Sequence, residues 1–235
     1  MERSTRGSIA RNRSFLLLWA GQLISSAGDW IGSVVLPFLV LDMTDSALSM
    51  SVLMVCRVLP PAILGPFAGS LADTYNKRSL MMAADAVRGL VYIALMFASS
   101  KWQVYGYTVV VATASSVFTP SLRSYIPQVV PKGDLTVANS LLGVGQQSMM
   151  LVGPVLGGVI VAGLGFRSAL LIDSATFFLS MLALAFASGG SRVSPAGKDG
   201  SQPDEDRAPG WFHLTREGIA YLKHAPHVSL VLVTG

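Results

Sequence analysis

Six long stretches of apolar residues occupy most of this chain and decide what it can fold into. They span residues 15–41, 47–72, 79–99, 104–130, 138–164 and 168–188. Each is about 20 residues or longer, the length that a helix needs to cross the roughly 30 Å hydrocarbon core of a bilayer. Because 51% of the residues are hydrophobic and 13% are charged, the chain has too few ionic groups to cover a soluble globule. The pattern predicts an all-α integral membrane protein and excludes a soluble enzyme.

The basic residues predict how these helices are oriented. If the N-terminus lies inside, twelve Lys and Arg residues fall in inside segments and two, Lys101 and Arg167, fall outside. The positive-inside rule therefore predicts a multi-pass protein of the cytoplasmic membrane with a cytoplasmic N-terminus and a cytoplasmic tail after residue 188. The net charge of +4 then reflects topology and attraction to anionic lipid rather than nucleic-acid binding.

Composition divides the chain into four parts. Residues 1–188 form the predicted six-helix bundle, and residues 189–210, rich in Gly, Ser, Pro and charge, form a flexible cytoplasmic linker. Residues 211–224 have the helical spacing of an amphipathic helix at the membrane interface. Residues 225–235 begin another apolar stretch of about ten residues, too short to cross a bilayer. We expect them to be the truncated start of a seventh helix.

Asp29 and Arg57 are the first charged residues inside the predicted spans, where a charge is costly and calls for an explanation. Asp29 lies on a polar helical face, a pattern typical of a helix lining a water-filled cavity; the face consists of Gln22, Ser25, Ser26, Asp29, Gly32 and Ser33. The depths of Asp29 and Arg57 differ by only ~5 Å at 1.5 Å per residue. They are therefore candidates for a pair near the midplane, either a proton- or cation-coupling site in a cavity wall or a fixed structural ion pair.

Four further intramembrane charges have narrower interpretations. Asp85 and Arg88 are spaced i, i+3 and can satisfy each other on one helix. Asp173 has no local partner and is expected to cap or pair with a neighbouring helix, its role being open. Arg123 lies near the inner end of its span, where it either snorkels to lipid phosphates or takes part in gating.

The sequence offers close helix packing but no cofactor site. Small residues four apart, at Gly28/Gly32, Gly65/Gly69 and Gly153/Gly157, permit close helix approach. Pro226 between His224 and His227 disfavours a helical metal site, and no phosphate loop, nucleophile elbow or zinc motif occurs in the sequence. The sequence therefore predicts no cofactor and no metal.

Two similar stretches indicate an internal repeat. Arg78-Ser79 opens the third span and is followed by Asp85, and Arg167-Ser168 opens the sixth and is followed by Asp173. Transporter halves built from two inverted three-helix repeats produce this kind of relation.

Several motifs together resemble the major facilitator superfamily over essentially the whole chain. "GSLADTYNKR", residues 69–78, is similar to the superfamily signature in the loop between helices 2 and 3, and "LVGPVLGG" resembles its fifth-helix exporter motif, with Met149 where the fuller pattern has glycine. "GDWIGSVVLP", "PSLRSYIPQVVP", "LTVANSL" and "REGIAYLKHAP" resemble the branch that contains macrolide-efflux and enterobactin-exporter proteins.

The resemblance implies roles for two sets of residues. Gly69, Asp73, Lys77 and Arg78 would form a latch at the cytoplasmic gate. Gly153, Pro154, Gly157 and Gly158 would let helix 5 bend and pack as the two halves rock.

The resemblance also implies a twelve-helix fold of which this chain is the N-terminal half. The leading hypothesis is secondary active efflux of a drug, macrolide-like compound or siderophore by alternating access and proton antiport. Its expected partners are the lipid bilayer, a small-molecule substrate, protons and the missing C-terminal half. The alternatives are a non-transporting membrane assembly subunit and a nonfunctional fragment of a truncated exporter.

Overall fold

The structure is a computed structural model that describes Ile9 and residues 11–187. The predicted linker at 189–210, interfacial helix at 211–224 and seventh span at 225–235 lie outside the described residues. Within the described ranges the regular elements are helical and no strand occurs. The prediction of an all-α chain is confirmed for this part.

A two-residue turn joins the first two helices, α1 (Arg13–Thr44) and α2 (Ala47–Thr74). Asn12 caps the start of α1 because its side chain accepts a hydrogen bond from the main chain of the first turn. Asp45 ends α1 in the left-handed conformation, with φ 49°, and its N–H donates to the carbonyl of Leu41. Such a turn reverses the chain with little exposed backbone.

The next two helices are α3 (Lys77–Leu95) and α4 (Lys101–Val129). α3 ends four residues before the predicted boundary at 99. The reason is local, because the three amides that follow Leu95 donate to carbonyls three residues earlier and so tighten the chain into a turn. A short 3-10 turn, Lys132–Asp134, follows α4.

The last helical stretch, Leu135–Phe186, contains a single non-helical residue, Gly165, with φ 79° and ψ 171°. We call residues 135–164 α5 and residues 166–186 α6. A positive φ of this kind costs glycine little and costs a residue with a Cβ much more. Gly165 is therefore the corner at which the chain turns from α5 into α6.

Side-chain contacts show that successive helices run in opposite directions. At one end, called the Asn12 end, the amide nitrogen of Asn12 donates to the carbonyl of Val129 at 2.8 Å, and Arg78 donates to the last turn of α6. At the other end, called the Tyr105 end, the Tyr105 hydroxyl donates to the carbonyl of Ser49 at 3.0 Å. The starts of α1 and α3 thus lie with the ends of α4 and α6.

Three described helical stretches are long and apolar enough to cross a membrane: Arg13–Thr44, Ala47–Gly65 and Lys132–Phe186. The third has 55 residues, enough for two crossings, and it contains the corner at Gly165. α3 and α4 are not among these stretches, and α3 contains four charged residues, Lys77, Arg78, Asp85 and Arg88. The described chain has the helices of a multi-pass membrane protein.

In the part of the chain that the structure describes, the core consists of two apolar clusters with charged side chains between them. One cluster lies towards the Tyr105 end and includes Phe177. The other lies towards the Asn12 end and includes Phe118. Arg88 stacks on both rings, with its guanidinium carbon 4.4 Å from the Phe177 ring centre and 4.6 Å from that of Phe118. A polar layer therefore crosses the bundle where the two clusters meet.

Candidate functional site

A cavity of about 230 Å³ opens beside this polar layer. Four helices supply its wall, and two charged side chains, those of Asp29 and Arg57, lie in an otherwise largely apolar lining. Its residues are Asp29, Leu36, Arg57, Pro61, Tyr92, Thr108, Val111, Ala112 and Ser115. A mostly apolar cavity with a few convergent polar groups is the usual form of a small-molecule site.

Asp29 and Arg57 meet in this wall, but not as a carboxylate–guanidinium pair. The Nη2 atom of Arg57 donates to the main-chain carbonyl of Asp29 at 3.0 Å. The carboxylate of Asp29 faces Arg88 instead, with 3.4 Å between Oδ2 and Nη1. The predicted ion pair with Arg57 is replaced by one with Arg88, because matching depths along two helices says nothing about the direction in which each side chain leaves its helix.

Arg88 is the centre of the charged layer. It is buried, and it pairs with Asp85 on its own helix, as the i, i+3 spacing predicts. It also reaches Asp29 on α1, which makes the arginine a bridge between two helices. The rings of Phe118 and Phe177 cover its two faces.

Asp173 on α6 is fully buried. Its two carboxylate oxygens lie against α1, where a Cβ on Gly28 would meet Oδ1 and a Cβ on Gly32 would lie 2.6 Å from Oδ2. The Tyr92 hydroxyl is adjacent to the same carboxyl group. Neither oxygen nonetheless has a partner with the distance and angles of a formed hydrogen bond in the described part of the chain.

Three aromatic residues around the charged layer were missed by sequence reasoning: Tyr92, Phe118 and Phe177. For two of them the sequence contains a pattern that could have identified them. Tyr92 follows Arg88 by four residues and Phe177 follows Asp173 by four, so each lies on the same helical face as a buried charge. Phe118 comes from a different helix and carries no such signal.

A second cavity of about 360 Å³ continues from the first towards the Asn12 end. The two share Pro61 and Ser115 in their walls. Arg123 is exposed and lines this second cavity together with Thr119 and Ser116. Its guanidinium therefore borders a groove between α2 and α4.

Of the four residues in the predicted helix 2–3 latch, Arg78 has described contacts. Its Nε donates to the carbonyl of Leu184 at 2.9 Å and its Nη2 to that of Ala185. It thereby supplies side-chain donors to carbonyls of the last turn of α6, of which that of Leu184 also accepts from the N–H of Ala187. A Cβ on Gly69 would meet no described atom within 4 Å, and the side chain of Asp73 lies outside the described part of the structure.

The predicted helix 5 motif forms part of the contact between α5 and α1. A Cβ on Gly153 would meet the Cβ of Trp30, and one on Gly157 would lie 3.2 Å from the main chain of Ile31. At Gly158 a Cβ would have no described neighbour within 4 Å. Two of the glycines therefore permit the close approach of α5 to α1.

The described residues contain no group of three or more His, Cys, Asp or Glu side chains suited to a metal ion. His213, His224 and His227 lie outside the described ranges.

Comparison with known proteins finds a matching family and relatives that are named as transporters. A sequence profile described as Major Facilitator Superfamily matches residues 18–234. The uncharacterized MFS-type transporter YfiS of Bacillus subtilis strain 168 is 32% identical over 95% of this chain and 53% of its own length. Macrolide efflux protein A of Streptococcus pyogenes is 23% identical over 94% of this chain and 54% of its own length.

A solved structure has a similar fold. The crystal structure of a bacterial homolog to the human lysosomal transporter Spinster, in an inward-facing and unoccupied conformation, matches with a TM-score of 0.67. The match has 17% sequence identity and covers 94% of this chain and 50% of that chain. The chain spans about half the length of the curated relatives it matches.

Proposed function

Because the chain belongs to the major facilitator superfamily, we propose that it contributes the N-terminal half of a secondary transporter that exports a small molecule. In this proposal α1 to α6 form two inverted three-helix repeats, α1–α3 and α4–α6, and a second half completes a twelve-helix protein. The two halves rock around a central site so that it opens to each side of the membrane in turn. The N-terminus and the tail after residue 188 face the cytoplasm.

The observation that carries this proposal is the cavity with Asp29 and Arg57 in its wall. The Asp29 carboxylate is about one-third exposed (35%), so it is accessible to water and substrate while paired with a buried arginine. A carboxylate in this position can exchange a proton when its pairing with Arg88 changes. That supports proton antiport as the energy source.

A drug-like or macrolide-like molecule is the first substrate class to test. The name of the Streptococcus relative, macrolide efflux protein A, supports it, and the mainly apolar cavity lining suits a hydrophobic compound. A siderophore is the second class.

Gate and packing roles complete the proposal. Gly69, Asp73, Lys77 and Arg78 act as the cytoplasmic latch, with Arg78 tied to the end of α6. Gly153 and Gly157 hold α5 against α1 while Pro154 allows α5 to bend. Arg123 borders the groove that leads from the Asn12 end to the cavity.

Replacement of Asp29 by asparagine tests the coupling role. In inside-out vesicles that contain the full-length transporter, we expect Asp29→Asn to lower proton-driven macrolide or dye uptake by on the order of 100-fold, the usual effect of removing a proton-transfer group. The measurement is substrate-induced collapse of an imposed pH gradient. Asp42→Asn is the matched control, since Asp42 is exposed, lies on the same helix and is absent from the cavity lining.

Two results would contradict the proposal. One is transport by the Asp29→Asn protein at the wild-type rate with the pH gradient still consumed. The other is failure of the wild-type protein to dissipate the gradient with any compound in a panel of macrolides, cationic dyes and siderophores.

A further inference from the structure

Asp173 and Asp85 are the two fully buried acids of the polar layer, and in the described part of the chain Asp173 is the one without a cation in salt-bridge contact. Its side chain is fully buried between α6, α3 and α1. Its carboxylate oxygens point at the two glycine positions of α1, and no hydrogen-bonding group in the described residues meets them with good geometry. A carboxylate left in this way would be an uncompensated buried charge.

The charges around Asp173 do not balance. Of the two arginines, Arg88 is already in contact with two carboxylates, and Arg57 gives a hydrogen bond to a main-chain carbonyl. Among the residues that the structure describes, the layer thus has three acids against two bases. The charged and titratable groups that face Asp173 from the helices around it are Asp29 on α1, Arg57 on α2, and Asp85, Arg88 and Tyr92 on α3.

One proton removes the imbalance, and Asp173 is the acid best placed to hold it. An isolated ionised carboxylate in an apolar interior is so unfavourable that the group takes up a proton instead. Asp85 has the Arg88 guanidinium against it, and Asp29 has both Arg88 and access to water. We propose that Asp173 is a buried proton-binding site that is occupied at neutral pH and exchanges its proton with the cavity through the hydroxyl of Tyr92.

Tyr92 is the residue that connects Asp173 with the cavity. It lines the 230 Å³ cavity, and its hydroxyl lies next to the Asp173 carboxyl group. A hydroxyl can donate and accept at the same time. Asp173 gives its acid proton to the Tyr92 oxygen, the hydroxyl proton of Tyr92 passes to water in the cavity, and Asp173 becomes a carboxylate while Tyr92 stays neutral.

The glycines of α1 keep this site compact. A Cβ on Gly28 would collide with Asp173 and with Thr176, and a Cβ on Gly32 would collide with the Tyr92 hydroxyl as well as Asp173. The nearest neighbours of this pair are therefore side chains rather than the backbone of another helix. The pair leaves room for an acid and a phenol at the place where α1 passes closest to both.

The inference adds a second acid to the proposed antiport and in that respect rests on the proposed function. Asp29 is accessible to water and substrate in the cavity, whereas Asp173 binds a proton at a buried position between α6, α3 and α1. Arg57 and Arg88 are near enough to act electrostatically on Asp173, so they can stabilise its carboxylate after the proton leaves.

Infrared spectroscopy tests whether the proton is present, independently of transport. A protonated carboxylic acid has a C=O stretching band that a carboxylate lacks. In the wild-type minus Asp173→Asn difference spectrum of the full-length protein in lipid at pH 7, we expect this band. We expect no such band in the corresponding difference spectrum for the control Asp42→Asn. Absence of the band from the Asp173→Asn difference spectrum overturns the proposal.

A second variant tests the route and remains informative if Asp173→Asn does not fold. In Tyr92→Phe the acid band should remain and shift in frequency, because its neighbouring hydroxyl is gone. Its hydrogen–deuterium exchange should slow by on the order of 100-fold. Exchange at the wild-type rate in a folded Tyr92→Phe protein overturns the route.

Measuring the number of protons moved per substrate distinguishes failure of this inference from failure of the proposed function. If the wild-type protein couples export to protons and Asp173→Asn does so with the same number of protons per substrate, Asp173 is not a coupled site and the antiport proposal stands. If the wild-type protein moves no protons, the antiport proposal fails whatever the infrared spectrum shows.

Discussion

Arg88 holds four side chains together, two carboxylates and two aromatic rings. Asp85 and Asp29 satisfy its charge, and Phe118 and Phe177 cover its faces. Since these partners come from four helices, the arginine ties the two apolar clusters to each other. Its contribution is therefore expected to be larger than that of an exposed ion pair.

Removal of this arginine should destabilise the protein strongly. Arg88→Met leaves Asp85 buried without its cation, and removing one partner of a buried pair costs about 3–5 kcal/mol. Thermal unfolding of the purified protein in detergent measures the loss. Arg123→Met is the matched control and should stay within about 0.5 kcal/mol, because Arg123 is exposed. Equal melting temperatures for the two variants would contradict this role of Arg88.

For individual side chains, the sequence predicts ion-pair partners within one helix better than partners on different helices. The spacing of Asp85 and Arg88 is enough to pair them, because helical geometry alone brings i and i+3 together. The contact of Asp29 with Arg88 depends on how far α1 and α3 are rotated about their axes. That rotation is decided by packing, including the Tyr92 and Asp173 contacts at Gly32, which no single-helix pattern contains.

At the level of helix packing, α1 and α5 can approach closely because glycines of α5 have no side chain at their contact. Gly157 lies so close to α1 that an added Cβ would be 3.2 Å from both the Cα and the carbonyl oxygen of Ile31. Main-chain atoms of a long helix cannot move aside singly. The whole helix has to shift instead.

Alanine at this position should therefore be unfavourable, and alanine one residue later should not. We expect Gly157→Ala to lower the unfolding free energy by about 1–3 kcal/mol, a typical effect of overpacking. Gly158→Ala should be neutral or stabilising, because it meets no described neighbour and alanine is the better helix former. Melting temperatures of the two variants check this. If Gly158→Ala is the more harmful change, the described packing of α5 on α1 is wrong.

The three predicted glycine pairs differ in what lies next to them in the structure. Gly153/Gly157 packs on α1 as the small-residue pattern predicts, whereas Gly28/Gly32 accommodates the side chains of Asp173 and Tyr92, and Cβ atoms at Gly65 and Gly69 would meet no described atom within 4 Å. A pattern of small residues marks a surface that can be approached closely. It does not specify what approaches.

For the whole molecule, the alternation of helix direction predicts where the connecting turns lie. The turn at Gly133 follows α4 at the Asn12 end, and Ser99 precedes α4 at the Tyr105 end; both residues are exposed. With a cytoplasmic N-terminus, Gly133 faces the cytoplasm and Ser99 faces the outside.

Cysteine labelling can check this arrangement because the sequence has one cysteine, Cys56. In a Cys56→Ala background of the full-length protein, we expect Ser99→Cys to react with a membrane-impermeant maleimide on intact cells. Gly133→Cys should react only after the membrane is opened. The reverse pattern would overturn the proposed orientation, and labelling of both in intact cells would overturn the antiparallel arrangement.

The existence and approximate limits of the helices could be predicted from apolar runs, because a bilayer demands a minimum length of apolar helix. The cavity could not, since its wall combines residues from four helices that are far apart in sequence. The polar face of α1 identified Asp29 as a cavity residue. Tyr92, Asp173 and the two phenylalanine rings became part of the same site only through the packing of α3, α4 and α6.

Gly165 joins α5 to α6 without a loop between them. A flexible loop would allow one helix to change its tilt without moving the next helix. Here one residue is the whole linkage, and Asp173 follows it by eight positions. If α5 changes its tilt during a transport cycle, α6 has to move with it. Asp173 on α6 then moves relative to Tyr92 on α3.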